Sequence, residues 1–288
     1  TASGKTSLSI KLAKKFNGEI ISADSRQVYK GMNLGTGKVT QKEMHGIKHY
    51  LLDVASPKSQ FSAAKFVKKG EGAIREILKK KKLPIICGGT GFWIDSLLYG
   101  LPESTAPDWK LRKKLEKLSC IQLFNKLKKV WTKRASQIDQ HNKRRLIRAL
   151  ELALKGQKPV PLSKTNKYDT LKIGVLRSKL ELKQRIHDRL LTRIKQGMIK
   201  EVANLHKKGV SWRRLDDFGL EYRFISRFLR RQINDKNEMI RQLEIAINKY
   251  AKRQMTWFKK DKEIHWLTKE EKVEKLAKKW FFNKNVYV

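Results

Sequence analysis

The chain has 288 residues, of which 40% are hydrophobic, so it can bury the core of one large domain and a smaller one. Its 67 lysines and arginines outnumber 27 acidic residues, and the net charge of +40 attracts polyanions, of which nucleic acid is the usual one. Because lysine is spread along the whole chain, part of this excess is also typical of a basic proteome or of an adaptation for solubility.

No run approaches the ~20 apolar residues that span a bilayer, which argues against a membrane protein. Cys87 and Cys120 lack the spacing of a disulfide framework or a zinc site, and no signal peptide is visible, so we expect a cytoplasmic chain without zinc.

The first element is the segment TASGKT at 1–6, which matches the second part of the P-loop pattern G-x-x-x-x-G-K-[ST]. The first glycine of that pattern would lie two residues before Thr1, so we expect a truncated N-terminus. In a P-loop, backbone N–H groups surround a diphosphate at a helix N-terminus, and the apolar spacing at 8–16 predicts that helix. Lys5 would neutralise the diphosphate, and the Thr6 hydroxyl would bind Mg²⁺. The alternative is an ordinary helix start with a chance lysine.

Short apolar runs follow at 19–24, 49–54 and 83–90, and each is typical of a strand buried on both faces of a parallel sheet. A helical period at 62–80 separates the second run from the third. Alternation of strands and helices beside a P-loop predicts a doubly wound parallel sheet, in which ligands bind at the carboxyl ends of the strands.

Asp24, Asp53 and Thr90 all lie at such strand ends. Asp24 could bind Mg²⁺ or accept a proton, or it could simply cap a helix. The run that ends at Asp53 weakly resembles a Walker B strand. The glycines at 88–91 would let the backbone approach a ligand closely, or would form no more than a tight turn.

Beyond residue 106 the pattern changes to a helical and strongly basic segment that no strand interrupts. A loop-like stretch with prolines follows, and then the chain is predicted to return to the sheet and to continue in long helices. The predicted elements are helices within 107–155, a strand at 171–176, helices at 180–207 and 237–259, and a short strand at 263–267.

These elements predict an α/β fold with a P-loop NTPase-like parallel sheet flanked by helices and an all-helical insertion domain. The core would comprise 1–105 and 169–288, and the insertion would comprise 106–168. Arg185, Arg189 and Arg193 recur every four residues and share one helix face, which could meet a diphosphate or remain a solvated basic face.

Six segments together resemble one family, the tRNA dimethylallyltransferases (tRNA isopentenyltransferases), over nearly the whole chain. DSRQVYKGM and KRQMTWF are the most specific strings within them. The segments are TASGKT at 1–6, ISADSRQVYKGMNLGTGK at 21–38, HYLLDVASP at 49–57, GGTGFWIDSLLYGL at 88–101, RRLIRALE at 144–151 and YAKRQMTWF at 250–258.

This resemblance implies transfer of a dimethylallyl group from dimethylallyl diphosphate to N6 of the adenosine 3′-adjacent to the anticodon (position 37). The tRNAs concerned read codons that begin with U, pyrophosphate is released, and Mg²⁺ assists. The implied partners are the tRNA anticodon stem-loop and the diphosphate donor. The family core is similar to that of nucleotide kinases but hydrolyses no ATP. No C-terminal zinc finger is recognised, so we expect a bacterial-type enzyme that works as a monomer.

The resemblance also assigns residues. Asp24 would orient the adenine amine and take its proton, Arg189 would bind the leaving pyrophosphate, and Thr90 would contact the adenosine or the diphosphate. The implied diphosphate-binding residues are Thr1, Ala2, Ser3, Gly4, Lys5, Thr6 and Arg185. The implied tRNA-binding residues are Asp24, Ser25, Arg26, Gln27, Thr90, Arg112, Lys143, Arg144, Arg145, Leu146, Ile147, Lys252, Arg253, Gln254 and Trp257. Trp257 could stack on a base or lie in the core.

Two segments depart from the family pattern. Lys143-Arg144 stands where many members have Pro-Gln, so a glutamine that reads a base is replaced by a cation. Residues 219–222 read GLEY where members commonly show G-Y-[KR]-[EQ].

Two other functions fit part of the sequence. A small-molecule kinase explains the P-loop, Asp24 and Asp53, but not the charge or KRQMTWF. A non-catalytic RNA-binding ATPase explains the charge, but not the Asp24 segment beside a diphosphate site.

Overall fold

The computed structural model describes residues 2–101, 107–157 and 166–283, and these divide into two compact units. Unit 1 comprises Thr1–Leu98 and Tyr168–Val288, and unit 2 comprises Tyr99–Lys167. The helical insertion predicted at 106–168 overlaps unit 2, which begins earlier in the chain. No helix within the described ranges is both long and apolar enough to cross a membrane.

A parallel sheet forms the centre of unit 1. Its strands are β1 (Gly18–Ala23), β2 (His49–Tyr50) and β3 (Leu83–Gly88), in the order β2-β1-β3. Ile20 of β1 lies in register with His49 on one side and with Ile85 on the other. Every residue of β1 is buried, as expected for a central strand covered on both faces.

A second parallel pair, β4 (Ile173–Val175) and β5 (His265–Leu267), also belongs to unit 1. The strand predicted at 171–176 therefore exists in shorter form. The prediction that it rejoins the first sheet is wrong within the described residues, because its ladder partner is β5.

Five helices of unit 1 begin at a side-chain cap, among them α3 (Ala63–Lys79), α9 (Lys179–Lys195) and α13 (Lys236–Phe258), which Ser62, Ser178 and Asp235 cap. The helix predicted at 180–207 is two helices, because Gly197 adopts a left-handed φ of 100° and starts the second one. The helices of unit 1 are α1 (Lys5–Lys15), α2 (Gln41–Met44), α3 (Ala63–Lys79), α4 (Gly91–Tyr99, which runs into unit 2), α9 (Lys179–Lys195), α10 (Met198–Lys207), α11 (Trp212–Phe218), α12 (Leu220–Leu229), α13 (Lys236–Phe258) and α14 (Glu270–Asn283).

The regular elements among the described residues of unit 2 are all helices, and the unit has its own apolar core. Leu123, Leu127 and Leu146 are fully buried in that core. Its helices are α5 (Trp109–Leu115), α6 (Cys120–Val130), α7 (Thr132–Ala135) and α8 (Lys143–Leu154).

The predicted fold class is confirmed. The structure is mixed α/β, with α1 and α3 packed on the parallel sheet of unit 1. Apolar residues from helix and strand, including Ile10, Ala13 and Ile20, form a shared buried cluster. This packing fixes the start of α1 beside the strand ends, where the candidate site lies.

Candidate active site

The N-terminus of α1 is built as an anion site. Gly4 precedes the helix with a left-handed φ of 91°, which favours glycine, and no side chain caps the helix. The N–H groups of the first turn therefore remain available to a ligand within the described part of the chain, and the helix dipole favours a negative one. Lys5 is half-buried and Thr6 is exposed in this turn. Thr1, predicted to bind diphosphate, lies outside the described residues.

Two arginines hold the loop before α1. Arg185 Nε donates to Ala2 O at 2.9 Å, and Arg177 Nε donates to Ser3 O at 3.1 Å. A terminal nitrogen of each lies 3.5 Å from the point where a Cβ on Gly4 would sit. Arg185 was expected from its helix face. Arg177 was missed, and its only sequence signal is its place just after the strand predicted at 171–176.

Asp24 follows β1 and forms a tight local turn, in which Arg26 N donates to Asp24 Oδ1 at 2.9 Å. Thr90 joins this turn to the end of β3, because Ser25 N donates to Thr90 Oγ1 at 3.0 Å and Thr90 N donates to Ala23 O at 3.2 Å. Asp24 and Thr90 thus share one edge of the sheet.

Contacts from two other elements connect this edge to α1 and α9. Cys87 of β3 donates through Sγ to Lys5 O at 3.7 Å, which ties the strand end to the first turn of α1. Arg189 lies one helical turn after Arg185 on α9, and its Nη2 donates to Gly37 O at 3.1 Å. The same helix face therefore reaches both the anion site and the segment that follows Asp24.

Charges of both signs gather around Asp24. Desolvation lowers the pKa of Arg189, the neighbouring Arg193 lowers it further, and the charges of Glu221 and Asp24 oppose this shift. Burial raises the pKa of Glu221, while Arg193, whose Nη1 lies 3.4 Å from Glu221 Oε1, lowers it. Burial, followed by the charge of Asp24, raises the pKa of Tyr250 to about 12. Glu221, Arg193 and Tyr250 complete this cluster. Arg193 belongs to the helix face that the sequence singled out, whereas Glu221 and Tyr250 were not among the predicted site residues.

Side chains of α13 cover the glycines at 88–91. Gln254 Nε2 donates to Gly89 O at 2.8 Å, and a Cβ on Gly89 would lie 2.1 Å from that nitrogen. A Cβ on Gly91 would lie 2.3 Å from the Trp257 ring. Protein side chains therefore pack against Gly89 and Gly91, and the approach of a ligand to this backbone stays a prediction.

Trp257 lies at the surface and not in the core, and its stacking on a base stays a prediction. It is 37% exposed, and its Nε1 donates to Asp95 Oδ2 at 3.0 Å. Lys252 and Arg253 lie exposed on the same helix.

Asp53 does not end a Walker B strand, because β2 ends at Tyr50. Leu51 and Asp53 adopt left-handed φ values of 64° and 55°, which no strand residue adopts. Asp53 Oδ1 instead pairs with Lys38 Nζ at 2.6 Å. The Walker B interpretation is therefore wrong.

In unit 2 the predicted tRNA-binding residues fall into two groups. Arg144 and Arg145 are exposed and Lys143 is half-buried at the start of α8, whereas Leu146 and Ile147 belong to the apolar core. Because the side chains of Leu146 and Ile147 are buried, a contact of these two residues with RNA would involve their backbone, and that contact stays a prediction.

Arg112 has an internal partner in unit 2. Its Nε and Nη2 donate to the fully buried Glu151 at 3.0 and 2.6 Å, and Arg148 also pairs with this carboxylate. Burial would raise the pKa of Glu151, but hydrogen bonds from the two arginines lower it. This network stabilises a buried charge.

The fold and the site together define a class of protein. An uncapped helix N-terminus with a lysine and a threonine, two arginines on its loop and a carboxylate at the adjacent strand end are the parts of a P-loop enzyme that acts on a phosphate-bearing substrate.

Comparisons with known proteins narrow this class. The profile of the family described as IPP transferase matches residues 27–261. A curated tRNA dimethylallyltransferase of Acetivibrio thermocellus is 42% identical over 94% of this chain and 90% of its own length. The crystal structure of a tRNA delta(2)-isopentenylpyrophosphate transferase from Staphylococcus epidermidis superposes with a TM-score of 0.71 at 36% identity, over 99% of this chain and 96% of the other. A crystal structure of a eukaryotic dimethylallyltransferase acting on tRNA superposes with a TM-score of 0.82 at 25% identity, over 99% of this chain and 78% of the other.

The chain belongs to the IPP transferase family. The family predicted from the sequence segments is thereby confirmed.

Proposed function

We propose that this protein transfers a dimethylallyl group from dimethylallyl diphosphate to N6 of the adenosine at position 37 of tRNAs that read UNN codons, with release of pyrophosphate. The observation that carries the proposal is the turn after β1, where Asp24 lies with Thr90 at the sheet edge next to the first turn of α1. The names of the relatives support the same reaction.

Asp24 acts on the nucleophile. The N6 lone pair of adenine is delocalised into the ring, so the amine attacks slowly without help. The Asp24 carboxylate accepts a hydrogen bond from N6–H, orients the lone pair towards the allylic carbon, and takes the proton as the C–N bond forms. Arg26 N already holds one oxygen of this carboxylate, so its orientation is fixed before substrate binds. Thr90 holds the backbone of the same turn through Ser25. It also contacts the adenosine or the diphosphate.

The groups around α1 act on the leaving diphosphate. Negative charge grows on it as the allylic carbon becomes cationic, and fixed donors stabilise that charge without reorganising. These donors are the N–H groups of the uncapped first turn, Lys5 and the arginines of α9, Arg185 and Arg189. Arg177 joins them, because it binds the same loop as Arg185.

Mg²⁺ fits this site through few protein ligands. Mg²⁺ keeps several waters and binds mainly through substrate phosphates, so one protein hydroxyl suffices. The Thr6 hydroxyl is exposed in the first turn of α1, where it would hold the ion. When bound, Mg²⁺ neutralises charge on the diphosphate.

The tRNA is held mainly by charge. The net charge of +40 supplies a long-range attraction, and exposed cations such as Arg144, Arg145, Lys252 and Arg253 contact the phosphates. Because a stacked base is inaccessible, the target adenosine must flip out of the anticodon loop to reach Asp24. Ser25, Arg26 and Gln27 line its path. We also propose that the protein works as a monomer in the cytoplasm, where it meets its tRNA.

A label-transfer assay tests this function against the kinase alternative. The protein is incubated with radiolabelled dimethylallyl diphosphate and unmodified tRNA that carries adenosines at positions 36 and 37. We expect label in the tRNA, lost when adenosine 37 is replaced by guanosine. ATP turnover on a small acceptor without label transfer would instead identify a small-molecule kinase.

A further inference from the structure

Glu201 of α10 binds a turn of backbone that lies far from it in sequence. Its carboxylate accepts hydrogen bonds from three successive N–H groups, those of Asn33, Leu34 and Gly35, at 2.9, 2.7 and 3.0 Å. The hydroxyl of Tyr222 donates to the same carboxylate at 2.8 Å. Hydrogen bonds to a charged acceptor are the stronger kind, so this carboxylate fixes the segment 33–35 firmly.

Tyr222 closes this arrangement from α12. Its side chain is buried, and a Cβ on Gly35 would lie 2.5 Å from its ring, so the segment can approach only as glycine. Burial, and then the charge of Glu201, raise the pKa of Tyr222 well above its ordinary value, so its hydroxyl remains a donor.

The carbonyl side of the same segment meets the cations of α9. Arg193 Nη1 donates to Leu34 O at 3.0 Å, and Arg189 Nη2 donates to Gly37 O at 3.1 Å. Gln27 Nε2, beside Asp24, donates to Gly37 O at 3.3 Å. The peptide group 34–35 therefore lies between Glu201 on its N–H side and Arg193 on its C=O side. The carbonyl of Gly37 is joined to Glu201 through a second peptide group, because Lys38 N donates to Asn33 O at 3.0 Å and Leu34 N donates to Glu201. Successive hydrogen bonds in such a chain strengthen one another.

We propose that Glu201 is a positioning residue for the transfer reaction: it fixes the segment 33–37, and this segment holds Arg189 and Gln27 in place beside Asp24. Glu201 touches neither substrate. The inference rests on the proposed function, because it assigns the chemistry to Asp24 and Arg189. Without the Glu201 carboxylate, the N–H groups of the segment 33–35 lose their shared acceptor. The carbonyl of Gly37 is then no longer fixed, so Arg189 is no longer held in position at the diphosphate.

The test is Glu201→Gln, which keeps the shape of the side chain but turns an NH₂ group towards backbone donors. We expect kcat to fall by about tenfold, because small displacements of reacting groups cost this much or more, while tRNA affinity stays within about twofold. We also expect weaker binding of inorganic pyrophosphate by calorimetry, a readout that needs no turnover.

A double-mutant cycle distinguishes positioning from a general loss of stability. If Glu201 acts through Arg189, Glu201→Gln changes kcat by less than about twofold in an Arg189→Ala background. Glu19→Gln is the matched control, since Glu19 is another carboxylate of unit 1 with several hydrogen-bond partners, and it is buried where Glu201 is half-buried. We expect it to lower the melting temperature and to leave kcat unchanged below that temperature.

The inference would be overturned if Glu201→Gln kept the kcat and the pyrophosphate affinity of the wild-type protein. It would also be overturned if Glu201→Gln lowered kcat by the same factor in the Arg189→Ala background as in the wild-type protein. If Glu201→Gln fails to fold, Tyr222→Phe removes a single hydrogen bond from the carboxylate. Tyr222→Phe should lower kcat by about threefold in the wild-type background and should have no effect on kcat in the Arg189→Ala background. Any other result would overturn the inference. Failure of the proposed function is a separate result, namely that the wild-type protein transfers no label.

Discussion

The two ends of β1 carry the same chemical group in opposite circumstances. At its start, Glu19 accepts hydrogen bonds from Tyr50 at 2.8 Å, Lys82 at 3.0 Å and Lys80 at 3.2 Å, so its carboxylate is fully engaged. At its end, the carboxylate of Asp24 accepts one backbone hydrogen bond, from Arg26 N, within the described residues. One carboxylate is used to hold the fold. We propose that the other keeps an oxygen for a substrate, since it lies at the edge where parallel sheets bind ligands.

The largest expected effect is at the Asp24 end. Asp24→Asn keeps the local turn but removes the base, so we expect kcat for transfer to fall by about 10²-fold or more. Affinity for tRNA should stay within a few-fold, because the substitution removes a negative charge from a basic surface. Rapid-quench turnover and filter binding measure the two quantities.

Asp53 is the control for this substitution. Since Asp53 pairs with Lys38 and ends no strand, Asp53→Asn should lower kcat by less than about threefold. Equal losses in both variants would give Asp53 a role in the reaction and would weaken the contrast between the ends of β1.

The next effect is at the Glu19 end and concerns stability. Glu19→Gln leaves Lys80 and Lys82 without their buried partner, so the free energy of unfolding should fall by about 3 kcal/mol. Urea unfolding measures it, and kcat under native conditions should not change. A loss of kcat with unaltered stability would reverse the roles that we assign to the two carboxylates.

The stabilisation by Glu19 should also depend on pH. Burial would raise the pKa of Glu19, but hydrogen bonds from Tyr50, Lys82 and Lys80 outweigh it and lower the pKa. The stabilisation is therefore complete above the pKa of an unfolded glutamate, about 4.3, and is lost as the pH falls through the lower folded pKa. Wild-type stability should decline across that window, and Glu19→Gln should show a shallower decline.

A smaller effect is expected from Arg189→Lys, which keeps the charge but loses the planar fork. We expect kcat/KM for dimethylallyl diphosphate to fall by about tenfold, because a fixed donor to the growing charge is lost. Arg241→Lys is the matched control, since Arg241 pairs with Glu238 on the exposed face of α13. A tenfold loss there too would show that the effect is not specific to the site.

The smallest effect should lie in unit 2. Arg144→Gln restores the glutamine of the common family pattern and removes one exposed cation, so tRNA affinity should fall by about threefold and the salt slope should decrease by about 1. Titrations from about 50 to about 200 mM salt measure the slope, with Arg144→Lys as the charge-preserving control. If kcat falls instead of affinity, Arg144 acts in the chemistry and not only in binding.

Local sequence patterns were enough to predict many elements. Apolar runs predicted β1 and β3, helical periodicity predicted α3 and α13, and the P-loop string predicted the helix start at Gly4. These features depend on residues a few positions apart. The prediction of a single helix at 180–207 was wrong, and the reason is also local, because the left-handed φ at Gly197 divides the segment into two helices.

The sequence by itself determined the family, the α/β class and the position of Asp24 at a strand end, because each follows from a contiguous string or a short period. Only the tertiary structure decided which charged groups meet. It paired Asp53 with Lys38, brought Arg177 to Ser3, and joined Glu201 to a segment whose Leu34 lies 167 residues away. Such pairs have no signature in a single sequence, since a charged residue looks the same whether packing later buries it, pairs it or leaves it for a substrate.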